Sequence, residues 1–513
     1  MKKEVVLFKM LITALTSFIM ATSLMAVPKD EVRVALMFEP STVNVLELKT
    51  GIDISVVLNM HDSLMTSDPK TGERTLKDSL SESIKVMPDQ KSIKIKLRKN
   101  AVFHTGDPLT AHDVKFTYDQ VVNPKNGNLM ASMYDEIEEI EVLNDYNLIF
   151  HMYESYAPWR ELMWMGIASK KYFEKVGREK FRKHPVGSGP FKFVKRRFGE
   201  YVELEAFEKH PLFQVDFKTL RLMVIPDDVT RLAMLETGEL DVVSDILPHH
   251  LKRLKRNKHV VIKKEPTYPS LYGLACRANN YKICGDGNFN RALSHAINRQ
   301  EIVDRVFLGE GYPLYMYASK SELGYDPKVV YEYDLEKAKQ YLRKSSYKPG
   351  DPITLTYTSL VPSSRMIAAM VQRYLTKLGL TMKLQQLEAG VQATYNRNRD
   401  PREGHMTLYS WGGGRDPQAR LALSIISDSD YSSWSTRPYR KEIDALVKEQ
   451  GREMDQEKRL KLLSQLHEYL RKPSSGTILF GSNMVYAHSD RVNYNWAPMD
   501  AFIFNLHRIK MVK

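Results

Sequence analysis

The chain reads as a mixed α/β protein built from about three domains or two large lobes. Two observations carry that reading. Strand-like and helix-like segments alternate along the chain without an internal repeat or low-complexity tract. At 513 residues it is several times longer than one small module. Hydrophobic residues make up 43% and charged residues 27%, which excludes both a disordered and a collagen-like chain. Tyrosines, 27 against 19 phenylalanines, supply aromatic faces with a polar handle that suit cores and clefts alike.

The first element is an export signal. Lys2 and Lys3 precede an apolar stretch from about Leu7 to Met25, with Ala21, Ser23 and Ala26 near its end. This pattern predicts a secretory signal peptide over residues 1–26, cleaved after Ala26 or Ser23, a retained membrane anchor being the alternative. Leu24 makes the small-residue pattern imperfect. No second long apolar run follows, and no cysteine sits near the cleavage region, so the mature chain is expected to be neither membrane-spanning nor a lipoprotein.

Strands dominate the first half. Ser92–Leu97 alternates with period two, and Tyr146–Met152 and Tyr201–Ala206 read similarly, with hairpin corners near Asn144–Asp145 and Arg197–Glu200. Helices dominate the second half. Asp334 can cap a helix that buries Ala338, Tyr341 and Leu342. Met366, Ile367, Met370, Val371, Tyr374, Leu375 and Leu378 form one apolar helix face that Gly379 ends, and Leu380–Leu387 then reads as a strand. Asp455 can cap a helix carrying Leu462, Leu463, Leu466, Tyr469 and Leu470.

The 75 basic and 62 acidic residues give a net charge of +13, but the signs are interleaved, so no nucleic-acid partner is expected. The densest basic run, His249–His259, reads as a solvated helix face, with an anion or partner contact as the alternative. His249 and His250 are adjacent, would point apart on a helix, and are not expected to hold a metal. In an exported chain Cys276 and Cys284, eight residues apart, suit a disulfide closing a short loop; free thiols are the alternative, and two thiols are too few for zinc. Serine-hydrolase elbow, zinc-protease and phosphate-loop spacings are missing, and Gly412–Gly414 lacks the dinucleotide-binding spacing. Carboxylate pairs such as Glu138–Glu139 lie on charged stretches. Nothing requires an enzyme or a cofactor.

Six segments, in order, carry a resemblance. Phe103–Tyr118 (FHTGDPLTAHDVKFTY), His184–Val194 (HPVGSGPFKFV), Thr230–Asp241 (TRLAMLETGELD), Arg291–Pro313, Tyr333–Leu342 and Met366–Leu380 together resemble the family 5 extracellular solute-binding proteins of ABC importers, the dipeptide, oligopeptide and nickel-binding type. Each also has a physical reading. Gly106 and Pro108 make a turn, Thr110 caps the helix from Ala111, Gly187 and Gly189 fix a tight backbone path, and Gly238 ends a short helix.

The resemblance implies a two-lobed periplasmic-binding-protein clamshell with an extra β-rich subdomain in the first lobe. The expected division is a signal peptide over 1–26, lobe I over 27–272 with the subdomain at 68–190, lobe II over 273–484, and a return to lobe I over 485–513. The crossings are expected near Ser270–Asn280 and Gly481–His488. It further implies a periplasmic monomer that closes on a small ligand, foremost a peptide or peptide-like compound, and delivers it to permease and ATPase subunits in the inner membrane. A metal chelate, an opine or a sugar is the alternative ligand, and an envelope chaperone or a secreted enzyme the alternative role.

In this family the segment around a cleft tryptophan faces the ligand; here it is Leu408–Pro417, LYSWGGGRDP. The acidic partner that peptide binders place three residues after the tryptophan falls on Gly414. Asp416 matches the Asp-Pro that starts the next helix, although a register change of two residues would bring it into the cleft. Arg415 beside Trp411 suits a carboxylate or phosphate held bidentately, while Trp411 offers a stacking face. Tyr409, and from the first lobe Met37, Phe38 and Asn44, complete the expected ligand-binding set.

Overall fold

The computed structural model describes residues 27–512 apart from 129, 267, 269, 360, 413, 428, 430–438, 472–476 and 497–504. The expected signal peptide, residues 1–26, lies outside the described residues. No described helix is long and apolar enough to cross a membrane.

Three main sheets organise the chain. The first has seven strands in the order Val260–Glu265, Met484–Ser489, Val242–Val243, Glu31–Leu36, Thr219–Val224, Tyr201–Ala206 and Phe191–Arg197. Glu31–Leu36 runs parallel to both neighbours. Its Val32, Val34 and Leu36 enter one core cluster while Ala35 enters another, as a strand covered on both faces requires. The second sheet has six strands: Gly311–Pro313, Thr477–Ser482, Ser270–Cys276, Met406–Gly412, Pro352–Tyr357 and Thr381–Gln386. It too is covered by two clusters. A four-stranded antiparallel sheet, Ser81–Val86, Ser92–Leu97, Asn147–Met152 and Ile137–Asn144, shares the core of the seven-stranded one.

Local chemistry explains the elements. In Ser92–Leu97, Ile93, Ile95 and Leu97 are buried, and Lys94 is exposed. The Asp113 carboxylate accepts from the Thr110 backbone N–H at 2.9 Å and opens the helix Ala111–Val122. The helix Ser364–Leu378 buries Ile367, Ala368, Val371, Tyr374, Leu375 and Leu378, one face at spacings of three and four. Gly379 at φ +111° then closes it, with the Leu380 N–H reaching Leu375 O at 3.0 Å. Gly187 shows why its motif carries glycine: a Cβ there would stand 2.0 Å from Met60 O. Cys276 and Cys284 are joined as a disulfide.

The His249–His259 run departs from the expected helix face. Pro248 starts a 3-10 turn through His250, a single helical turn Leu251–Leu254 follows, and the chain is a strand by Val260. Leu251 and Leu254 are pulled into the core, which breaks the run into short pieces. The two imidazoles do not diverge; their centroids lie 4.0 Å apart.

The chain passes from the first large sheet to the second between Glu265 and Ser270 and returns between Ser482 and Met484. The crossings run side by side. Ser270 Oγ donates to Ser482 O at 3.0 Å and accepts from Ser482 N at 2.9 Å. Glu310 ties into the same place through an ion pair with Lys264 and through its carbonyl, which accepts from Asn483 N at 3.3 Å. A second bridge joins the halves: Ala157 N donates to Gly451 O at 2.8 Å and Ser155 Oγ to Arg452 O at 2.7 Å.

Candidate functional site

Tyr409 and Trp411 sit on the strand Met406–Gly412, inside the six-stranded sheet, opposite Gly273 and Leu271. Two residues apart on a strand, they share one face and pack against the same cluster. Gly273 leaves room for the Tyr409 ring: a Cβ there would meet Tyr409 Oη at 2.7 Å. Burial, with the Tyr317 hydroxyl as its neighbour, pushes the Tyr409 phenol well above its ordinary range. Tyr409 and Trp411 are both half-buried, Trp411 near the end of the strand.

The next residues separate two charges. Asp416 is committed within the fold. Its Oδ1 accepts from Gln418 N at 2.9 Å and opens the helix Gln418–Ser424. Both carboxylate oxygens take the Arg459 guanidinium, at 2.5 and 2.8 Å, and Arg459 is braced in turn by Gln450. Arg415 differs. Its carbonyl accepts from Leu323 N at 2.9 Å, but its Nε is buried without a hydrogen-bond partner, and its side chain makes no ion pair among the described residues. A guanidinium in that state retains unspent capacity for an anion.

In the first half, Met37 and Phe38 follow the carboxyl end of the central parallel strand Glu31–Leu36, the edge at which open α/β sheets bind ligands. Met37 is half-buried and Phe38 is 48% exposed, a large apolar ring left in contact with solvent. Asn44 is buried and caps the turn Val45–Glu47, its Oδ1 accepting from Leu46 N at 3.1 Å; its Nδ2 has no partner. No hydrogen bond joins Met37, Phe38 or Asn44 to Trp411 or Arg415 among the described residues.

Sequence reasoning missed three neighbours of these residues. Arg420 and Glu322 form a buried ion pair at 2.6 Å, and Arg420 Nη2 donates to Tyr317 O at 2.6 Å, close to the Tyr409 ring. Tyr156, on the bridge from the other half, has its phenol pushed up by burial and by the Asp416 carboxylate. No motif marks these residues; their distant partners could be found only by folding the chain.

Comparison with known proteins adds to this geometry. The profile of the bacterial extracellular solute-binding proteins, family 5, matches residues 75–432. The oligopeptide-binding protein AppA of Bacillus subtilis is 29% identical over 355 residues, 64% of each chain. The glutathione-binding protein GsiB of Salmonella choleraesuis is 23% identical, over 94% of this chain and 95% of that one. Among solved structures, the ABC transporter-associated periplasmic binding protein DppA of Helicobacter pylori, in complex with the peptide STSA, superposes with a TM-score of 0.79 at 21% identity. That match covers 94% of this chain and 98% of that one.

Proposed function

We propose, from the premise that the chain belongs to the bacterial extracellular solute-binding proteins of family 5, that it captures a peptide or peptide-like ligand bearing an anionic group. It is a binding protein, not an enzyme, and serves as the substrate-binding component of an ABC importer, handing its ligand to permease and ATPase subunits. The peptide and glutathione binders among its relatives support the ligand class.

One observation carries the charge of the ligand: Arg415, three residues past the end of the Met406–Gly412 strand, has a buried Nε without a partner. With Gly414 where peptide binders of the family carry an acid, and Asp416 held by Arg459, an anion holder is favoured over an ammonium holder. Trp411 would supply the stacking face and Met37 and Phe38 the opposite wall. Lobe I would run over 27–269 and 484–513 and lobe II over 270–482, a few residues from the expected 27–272, 485–513 and 273–484. Sheet membership supports drawing the crossings to Glu265–Ser270 and to Asn483.

Ligand at about 100 times Kd is expected to stabilise the protein by roughly 2.7 kcal/mol and to compact it in small-angle scattering. A free-acid peptide should act strongly and its C-terminal amide weakly. Equal stabilisation by both would remove Arg415 from the ligand. An opine, which also presents carboxylates, is the second reading, and a panel with opine, metal chelate and sugar separates these. Turnover of any of them would overturn the binding-protein reading.

Export to the periplasm with loss of residues 1–26, and without a lipid anchor, completes the proposal. N-terminal sequencing of the periplasmic protein should start at Val27. A full-length chain held in the cytoplasm would contradict it.

A further inference from the structure

We propose that Asp228, His249 and His250 form a surface site for a borderline divalent transition-metal ion, of the Zn²⁺ or Cu²⁺ type. The three side chains come from two places in the sequence. Asp228 is the first residue of the helix Asp228–Glu236, and the histidines close the 3-10 turn that Pro248 begins. One donor atom from each lies within 4.8 Å of the other two. His250 Nε2 stands 3.0 Å from Asp228 Oδ2, and the imidazole centroids are 4.0 Å apart.

The donor set is the right kind. Two imidazoles and one carboxylate are ligands that zinc and copper take, and three protein ligands leave a coordination position open to water. Around zinc, with bonds near 2.0–2.1 Å, tetrahedral donors stand about 3.3 Å apart. Asp228 and His250 stand close to that spacing, and exposed His249 already brings a donor within 4.8 Å of both.

The donors are also available. The helix is capped by Asp227, whose Oδ1 accepts from Thr230 N at 2.7 Å, so the Asp228 carboxylate is not spent on the cap. Two nearby guanidinium groups have partners of their own, although Arg231 Nε has none. Arg231 Nη1 donates to the carbonyls of Ile225 and Pro226, both at 2.8 Å, and Arg253 pairs with Glu236. The turn itself is fixed, because the flanking Pro248, Leu251 and Leu254 are buried. The site stands on the seven-stranded half, whereas Trp411 and Arg415 stand on the other, so it is separate from the proposed ligand site and does not depend on that reading.

Zinc titration of the purified, untagged protein in a chelator-free buffer tests the site, with melting curves confirming that each variant is folded. One ion per chain should bind, and His249→Ala and His250→Ala should each weaken binding about tenfold or more, Asp228→Asn somewhat less. Copper loading should show two coupled nitrogens by electron paramagnetic resonance in the parent and one in either histidine variant. Absence of saturable zinc binding in the parent, affinity unchanged in both histidine variants, or copper without nitrogen coupling would overturn the proposal.

Discussion

Lowering the pH from 7 to 4.5 is expected to remove on the order of 5 kcal/mol of folding stability, largely through two histidines whose imidazoles the fold holds neutral. Burial pushes His61 down to about 4 and His104 down to about 3, from ordinary values of 6.5. His61 is buried with its Nε2 unpartnered, and His104 is half-buried. His61 Nδ1 donates to Val57 O at 2.9 Å, and His104 Nε2 donates to Gly189 O at 2.9 Å. Around them stand His210, paired with Asp62 at 3.1 Å, and the buried His507 beside Arg508, whose charge further lowers the His507 imidazole. Gly166, Gly187 and Gly189 pack so closely on Met60 and His61 that a side chain at any of them would clash.

The direction follows from the depressed values. The unfolded chain binds protons at these imidazoles once the pH falls below about 6.5, while the folded chain does not until about 4 and 3. Their contribution is therefore complete above pH 6.5 and drains away between there and about pH 4 for His61 and about 3 for His104. Buried Asp113, Asp241, Asp245 and Glu403, whose carboxyls are pushed up by burial, act in the opposite sense and take protons in the fold first. Urea midpoints across pH 7 to 4.5, with a proton-uptake measurement on unfolding, check the balance. A flat or rising profile would show that the raised carboxyls outweigh the imidazoles or that the imidazoles are reached by solvent.

The histidine cluster also marks where the sequence stopped being readable. Elements set by local rules were legible. Ile93, Ile95 and Leu97 follow the period of a strand, Asp334 caps its helix by accepting from Lys337 N at 2.8 Å, and Gly379 ends the helix it was expected to end. The tight path at Gly187 was legible too, but not its cause. Met60 lies more than a hundred residues earlier, and only the fold brings its carbonyl there. The same limit governs the site. Arg415 and Asp416 are neighbours of opposite sign, and nothing local says which is spent. Arg459, 43 residues on, decides it by taking Asp416. The orientation of the adjacent histidines was illegible for the converse reason: on a helix they would point apart, but a 3-10 turn brings their rings together.

Arg415→Ala is expected to weaken ligand binding by about 2–5 kcal/mol, because a buried anion would lose its charged partner. Stability should hardly change, since the side chain makes no ion pair within the fold among the described residues. Arg415→Lys should recover only part of the affinity, having a single ammonium in place of a planar two-donor fork. Trp411→Ala should weaken binding through lost stacking area while the protein still melts cooperatively. Arg459→Ala supplies the contrast. It would strand Asp416, whose side chain is 14% exposed, and should cost about 3–5 kcal/mol of stability. Calorimetric binding and melting curves on the four variants separate the two arginines. Affinity lost in Arg415→Ala with the melting temperature kept, set against stability lost in Arg459→Ala, is the expected pattern. Unchanged affinity in Arg415→Ala would remove that guanidinium from the ligand site and leave the ligand's charge to other residues.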